Sequence, residues 1–176
     1  MQYIYPPIEE LKQQTIQLFE QSEKRHLLIT GSKSIGKTTL CEALIKGHSV
    51  PGLRSYAERS PDGTPSHIFL QERTGSRHCC IGTFSDGAMH PDAHAFDTIG
   101  VQLLTDTEKN ASPWAMVDEI GFLEQSSPNY LAQLEHLFDT RRVIAALRKA
   151  NTPFLCKLRN RPDCFLLDLD EWQPSL

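Results

Sequence analysis

The chain lacks paired cysteine motifs, long apolar runs and any concentration of basic residues, and each lack removes a class of protein. Its five cysteines, Cys41, Cys79, Cys80, Cys156 and Cys164, form an odd set with no C-x-x-C spacing, so free thiols in a reducing compartment are expected, several packed as small hydrophobes. No apolar stretch approaches the roughly 18 residues of a membrane-spanning helix. Residues Met1 to Pro7 offer neither a charged leader nor an apolar core of a signal segment. A cytoplasmic protein without a membrane partner is therefore expected. Lysine and arginine are scattered through a chain of formal net charge −4, which advertises no face for nucleic acid. Internal repeats, low-complexity tracts and interdomain linkers are missing too. What remains is one compact domain over residues 1–176, in which residues 1–25 read as an amino-terminal helical extension.

Apolar spacing places the elements. Ile8, Leu11, Thr15, Ile16, Leu18 and Phe19 predict a helix that ends near Ser22–Lys24 and covers one sheet face. Leu27–Ile29 reads as a buried strand and Thr38–Ile45 as a helix that stops at Lys46-Gly47. Leu53–Glu58, the turn Pro61–Pro65 and Ser66–Gln71 read as a hairpin; His78–Phe84 adds a third antiparallel run, closed by the turn Ser85-Asp86-Gly87. A helix carrying Phe96, Ile99, Val101, Leu103 and Leu104 follows, then a strand at Trp114–Val117 and a helix carrying Leu131, Leu134, Leu137 and Phe138. Val143–Leu147 is the next strand, Thr152–Asn160 a short helix, Cys164–Leu167 a last strand, and Asp168–Glu171 an exposed acidic tail. This order predicts an α/β three-layer sandwich: a mostly parallel sheet with an antiparallel insertion, helices on both faces, and a ligand at the carboxyl ends of the strands.

The ligand is named by Gly31-Ser32-Lys33-Ser34-Ile35-Gly36-Lys37-Thr38, a G-x-x-x-x-G-K-T phosphate loop entered by a strand and left by a helix. Gly31 and Gly36 let the backbone curl its N–H groups around phosphate oxygens at the positive end of the following helix. Lys37 supplies a mobile cation for the β- and γ-phosphates, the Thr38 hydroxyl is a hard oxygen ligand for Mg²⁺, and Thr39 completes the cradle. The partner motif is Trp114-Ala115-Met116-Val117-Asp118-Glu119, apolar residues ending in two carboxylates. Asp118 is the expected second support of Mg²⁺, and Glu119 the expected base that directs water at the γ-phosphate. Asp118-Glu119-Ile120-Gly121 also fits the D-x-x-G of GTPase switches, but no guanine-reading N-K-x-D follows it, so loose base specificity is expected. A further cation is needed for the transferred phosphoryl group. Among Arg141, Arg142, Arg148, Arg159 and Arg161, Arg148 is chosen because it follows the strand Val143–Leu147 at the phosphate edge; Arg159 and Arg161 are alternatives that would border the base. Tyr56, Phe69 and Phe84 read as sheet-face packing before base stacking, and His90 and His94 as a loop before a metal pair.

These features together resemble the P-loop nucleoside-triphosphatase family that includes thermophile enzymes and the human cancer-related nucleoside-triphosphatase. The likeness is carried by Gly31–Thr38, the antiparallel strands after the first helix, and Val117-Asp118-Glu119-Ile120-Gly121-Phe122-Leu123-Glu124. That family commonly has Asp-Glu-Ile-Gly followed by Lys-Met-Glu, and Phe122-Leu123-Glu124 keeps the acidic end. Its Gly- and Arg-rich stretch in the inserted strands is followed in part by Arg54 and Glu72–Arg77, and the residues before Leu27 have no counterpart. The resemblance implies Mg²⁺-dependent hydrolysis of nucleoside triphosphates to diphosphate and phosphate, broad in base choice, with Lys37, Thr38, Asp118 and Glu119 in the roles given above. The alternatives are a small-molecule or nucleoside kinase, with Glu119 activating a substrate hydroxyl, and a nucleotide-binding adaptor similar to the GTP-binding protein of molybdenum-cofactor biosynthesis. A protein partner is left unknown.

Overall fold

The computed structural model describes residues 7–172. Residues 1–6, where the expected extension begins, and 173–176 lie outside the described part. In chain order the elements are α1 (Ile8–Ser22), β1 (His26–Thr30), α2 (Lys37–Ile45), β2 (Gly52–Arg59), β3 (Pro65–Glu72), β4 (His78–Ser85), β5 (Ala88–Pro91), α3 (Ala93–Ala95), a π-helical turn (Phe96–Gly100), α4 (Val101–Lys109), β6 (Trp114–Ile120), a 3-10 turn (Leu123–Ser126), α5 (Pro128–Thr140), β7 (Arg142–Leu147), α6 (Pro153–Arg159) and β8 (Cys164–Asp168).

Among the described residues, eight strands form one sheet in the order β5-β4-β3-β2-β6-β7-β1-β8. The pairs β2–β6, β6–β7, β7–β1 and β1–β8 are parallel, whereas β2–β3, β3–β4 and β4–β5 are antiparallel. The insertion therefore does not interrupt the parallel sheet; β2 belongs to both parts and carries the antiparallel strands outward from one edge. Gly52 makes this junction possible. Its φ is +149°, and a Cβ there would stand 1.8 Å from the carbonyl oxygen of Met116, so only glycine lets β2 run this close to β6. The turn Ser85–Gly87 does not end the insertion, as expected above, but leads into β5, a short, largely exposed strand paired through Gly82↔Pro91 to Ser85↔Ala88.

Two apolar clusters lie on the two faces. One joins Leu53, Val117, Ala145 and Leu28 of the sheet to Phe96, Leu103, Leu104, Leu134, Leu137, Phe138, Leu155 and Leu158 of the later helices. The other joins Leu27, Ile29, Met116, Ala146 and Leu167 to Leu11 and Phe19 of α1 and Leu40, Cys41 and Ile45 of α2. Each fully buried Leu or Phe contributes about 2 kcal/mol by leaving water. In α1 the buried positions Leu11, Thr15 and Phe19 recur every fourth residue, so one stripe docks on the sheet while Ile8 and Leu18 stay exposed. Glu9 and Glu10 suit its first turn, and Glu23 ends it in a left-handed conformation. At α6, Pro153 occupies the first turn and the Thr152 hydroxyl accepts from the Leu155 N–H at 3.1 Å.

The five cysteines are all free thiols, with Cys41, Cys79 and Cys164 buried. Burial pushes the Cys41 thiol well up, which removes it as a nucleophile. His90 lies on β5 and His94 on α3, and among the described residues no cluster of three or more His, Cys, Asp or Glu is placed to hold a metal. Among the described residues no helix is long and apolar enough to cross a membrane.

Candidate active site

Residues 31–36 join the buried strand β1 to the amino terminus of α2, as the loop motif requires. Gly31, Ser34 and Gly36 have φ of 144°, 62° and 109°, so the backbone curls within a few residues. A side chain at Gly31 would be strained by the backbone and crowded, because its Cβ would lie 3.0 Å from Ile35 Cγ2 and 3.3 Å from Leu169 Cβ. Lys37, only 7% exposed, folds back over the loop. Its Nζ donates to the carbonyls of Gly31 at 3.0 Å and Ser32 at 3.1 Å, and stands 3.9 Å from Glu119 Oε2. Thr38 and Thr39 are exposed at the first turn of α2.

The opposing group comes from β6. Because β7 lies between β1 and β6, the carboxyl end of β6 sits two strand spacings, about 10 Å, from that of β1. Ala115, Met116 and Val117 anchor β6 in the core, and its pairing with β7 shifts register between Asp118 and Ile120. Such a bulge re-aims the side chains beside it. Asp118 is 6% exposed. Burial pushes its carboxyl up, against the side-chain hydrogen bond from Thr38 that favours the charged form. Burial also raises the Glu119 carboxyl, with Lys37 and Arg148 pulling the other way. From β2, the Ser55 hydroxyl accepts the Glu119 N–H at 3.3 Å and so ties the strand end that carries both carboxylates.

Beyond β6 the chain turns through Gly121, whose N–H donates to Glu124 Oε1 at 2.7 Å. Glu124 is 5% exposed, and burial raises its carboxyl as well. The same turn presents Phe122, over whose ring the Arg148 guanidinium lies at 4.6 Å. Arg148 is held from behind, since its N–H donates to the Ile120 carbonyl at 2.9 Å. Two cavities meet here. One of about 410 Å³ is lined by Gly31, Ser32, Lys33, Ser34, Lys37, Glu119, Arg148 and Lys149. The other, about 190 Å³, is lined by Thr38, Ser55, Asp118, Glu119, Glu124 and Arg148 among others. Glu119 and Arg148 belong to both.

The expected set Lys37, Thr38, Asp118, Glu119 and Arg148 is thus brought to one edge of the sheet, as is the whole loop. Of the alternatives, Arg161 pairs with Asp139 at 3.0 Å and Asp163 at 2.9 Å near the opposite end of β8, whereas the Arg159 guanidinium reaches the same carboxyl edge, where it donates to the Ala150 carbonyl at 2.5 Å and the Arg148 carbonyl at 3.1 Å. In the inserted strands Arg73 grips Glu42 of α2 with two bonds and Arg77 bridges Glu72 and Asp106, so both guanidinia are committed to ion pairs. Tyr56 and Phe69 stack on each other at 5.4 Å outside both apolar clusters, and the exposed Tyr56 lines the 190 Å³ cavity.

Three contributors lie outside the motifs, Ser55, Lys149 and Asp170, while Glu124 is the acidic end of the family motif, there given no role. The acidic tail is not exposed as expected. Leu169 is 2% exposed, Asp168 and Asp170 both bind Lys149, and Asp170 also binds Ser32 of the loop. A cavity of about 830 Å³, larger than either of these, lies away from this site; it opens at the amino-terminal ends of β1, β6 and β7, between α1 and α2. Convergent charge, not volume, marks the chemistry.

Comparison with known proteins agrees with this geometry. The family model described as NTPase matches residues 26–173, leaving α1 outside the match. The nucleoside-triphosphatase THEP1 of Thermotoga maritima is 29% identical over 152 residues, covering 82% of this chain and 86% of that protein. THEP1 of Archaeoglobus fulgidus is 22% identical over 145 residues, covering 80% and 87%. The crystal structure of THEP1 from Aquifex aeolicus superposes with a TM-score of 0.64 at 17% identity, over 82% of this chain and 89% of that one, and so shares the fold. With its phosphate loop, its strand-end carboxylates and a family match that spans nearly all of the sheet, the chain belongs to the NTPase family, as a P-loop protein of the nucleoside-triphosphatase type.

Proposed function

We propose that the chain hydrolyses nucleoside 5′-triphosphates to diphosphate and phosphate, with Mg²⁺ and with broad base specificity. The observation that carries the reading is the convergence of Lys37, the Thr38–Asp118 pair, Glu119 and Arg148 on two adjoining cavities. Relatives named nucleoside-triphosphatase support the same reaction class. Loose base choice is supported by the absence of N-K-x-D after Gly121. Net charge and scattered cations support a protein without nucleic-acid or membrane partners; the lack of a spanning apolar run supports a cytoplasmic one, and length and composition support one domain over residues 1–176.

The Thr38 hydroxyl and the Asp118 carboxylate are hard oxygen donors side by side, and the burial that raises the Asp118 carboxyl is relieved by a cation; this donor set suits Mg²⁺. Thr38 and Asp118 would hold the ion, which when bound neutralises charge on the β- and γ-phosphates. The loop amides of residues 31–38 bind the phosphates, Thr39 extends the cradle, and Lys37, held by the Gly31 and Ser32 carbonyls, turns its remaining N–H to phosphate oxygens. Glu119 takes a proton from water as the water oxygen bonds to the γ-phosphorus, and the bond from that phosphorus to the bridging oxygen breaks with its electrons going to the diphosphate. A carboxylate raised by burial is a better base than a solvated one, because its proton affinity lies closer to the working pH. Arg148, held over Phe122, stands where it can meet charge on the phosphoryl oxygens.

Phosphate release from ATP, GTP, CTP and UTP, with Mg²⁺ and no acceptor, tests this. Release from all four, with kcat/KM values within about tenfold of one another, is expected. Transfer that begins only after a small-molecule acceptor is added would assign a kinase instead. Tight nucleotide binding with almost no turnover, together with a co-purifying protein, would assign an adaptor.

A further inference from the structure

A loop built for a polyanion is held here by an anion. One oxygen of Asp170, Oδ2, accepts from the Ser32 N–H at 2.9 Å, the Ser32 hydroxyl at 3.0 Å and the Lys149 ammonium at 2.8 Å. The Ser32 N–H and the Gly31 carbonyl belong to the same peptide unit, and that carbonyl accepts from Lys37 Nζ at 3.0 Å. One peptide is therefore gripped from both ends, by a carboxylate at its N–H and by the loop lysine at its C=O. Turning the plane over would take the carbonyl away from Lys37 and expose it to the phosphates.

The segment that brings Asp170 here is itself fixed. The Leu169 N–H donates to the Thr30 carbonyl at 2.9 Å at the end of β1, and the Asp170 N–H donates to Asp168 Oδ1 at 3.0 Å. A bare carboxylate in this place would repel the ligand. Lys149 offsets it, bridging Asp168 at 2.9 Å and Asp170 at 2.8 Å while it lines the 410 Å³ cavity. Lys149, followed by the Ser32 donors, also holds the Asp170 carboxyl below the usual range, so it is ionised at neutral pH.

We propose that Asp170, charge-compensated by Lys149, is a positioning residue of the phosphate loop. It orients the Gly31–Ser32 peptide so that Lys37 is presented to the polyphosphate, and Lys149 keeps the carboxylate from repelling that ligand. The proposal rests on the hydrolase reading for the kind of ligand, and its test separates the two by measuring Mg²⁺–ADP affinity apart from ATP turnover.

Asp170→Ala is expected to weaken ADP binding about tenfold or more, because charged hydrogen bonds to the loop are lost. Asp170→Asn keeps an acceptor for Ser32 and costs less, about threefold. Lys149→Met leaves the carboxylate uncompensated and weakens binding about tenfold at low salt, the loss shrinking near 0.5 M salt. The deciding variant is Lys149→Met combined with Asp170→Asn, which is expected to return to within about threefold of wild type, a rescue that loss of packing does not produce. Should Asp170→Ala fail to fold, Asp170→Asn and the double variant carry the test. Unchanged affinity in Asp170→Asn and Asp170→Ala, or a double variant as weak as Lys149→Met, overturns the proposal. A wild type that binds ADP yet releases no phosphate from ATP overturns the hydrolase reading alone, and the affinity series still decides the role of Asp170.

Discussion

The two edges of one sheet carry different designs on the same strands. On β7, Arg142 opens the strand and Arg148 follows its end, and each guanidinium lies over a ring, Trp114 at 4.1 Å for the first and Phe122 at 4.6 Å for the second. Around Arg148 stand Lys37 and Glu119. Around Arg142 is the 830 Å³ cavity, walled by Phe19, Leu27, Ile45 and Ile144. On β1 the contrast repeats. His26 opens the strand, fully buried, with Nδ1 accepting the Val143 N–H at 3.1 Å and Nε2 facing Asp163 at 3.3 Å. Burial pushes its pKa down to about 4, so the ring is neutral, with Nδ1 hydrogen-bonded and Nε2 near Asp163 but not in a hydrogen bond. At the carboxyl edge, burial instead raises three carboxyl groups, on Asp118, Glu119 and Glu124, around the loop cation. A neutral ring sealed from water offers a ligand no charge, whereas charges held out of water beside one another do.

The largest effect that sharpens this contrast belongs to Glu119. Glu119→Gln preserves size and hydrogen bonding but removes the base, so kcat is expected to fall about 10³-fold while Mg²⁺–ADP affinity stays within about threefold. Single-turnover phosphate release with parallel binding isotherms measures both, and a kcat loss below tenfold would remove Glu119 from the reaction. At the other edge the expected effect is on stability. The folded-state pKa of His26 is lowered from 6.5 to about 4, so the unfolded chain binds the proton first. The stability from keeping the ring neutral is intact above pH 6.5 and is lost as pH falls towards 4, by about 3 kcal/mol. The raised carboxyls act in the opposite sense, gaining protons first in the folded state. The measurement is therefore the difference between wild type and His26→Gln in urea midpoints from pH 7.5 to 4; parallel curves would mean that His26 does not titrate in this way.

Much of the parallel sheet is legible in the chain because its strands are short apolar runs that need no distant partner to be recognised. Leu27–Ile29, Ala115–Val117 and Val143–Leu147 are all buried. Lys37, Thr38, Asp118 and Glu119 are legible for a related reason: phosphate and metal chemistry impose a local order on the residues that do it. β5 is hidden because Met89-His90-Pro91 has no strand pattern and only the edge of β4 makes it one. Asp168 and Asp170 read as a solvated tail because their partners are far off; the Ser32–Asp170 bond closes a separation of 138 residues. Ser55 is hidden in the same way, since only the β2–β6 pairing gives its hydroxyl the Glu119 N–H. Positions whose role depends on a strand register or a returning terminus leave no local pattern.

The smallest effect is also the closest comparison, because it pits two arginines of one strand against each other. Arg148→Ala is expected to lower kcat about 10- to 100-fold by withdrawing a cation from the phosphoryl edge, with folding stability changed by no more than about 0.5 kcal/mol, since Phe122 is already exposed. Arg142→Ala is expected to leave turnover within about twofold and to cost about 1 kcal/mol of stability, because its guanidinium and stem cover Trp114. The two variants remove the same chemical group, so steady-state rates and urea midpoints on both isolate position from residue type. Equal losses of turnover would mean that the amino edge contributes to the reaction, and the 830 Å³ cavity would then have to be counted as part of the active site; opposite losses place the chemistry at one end of the sheet and packing at the other.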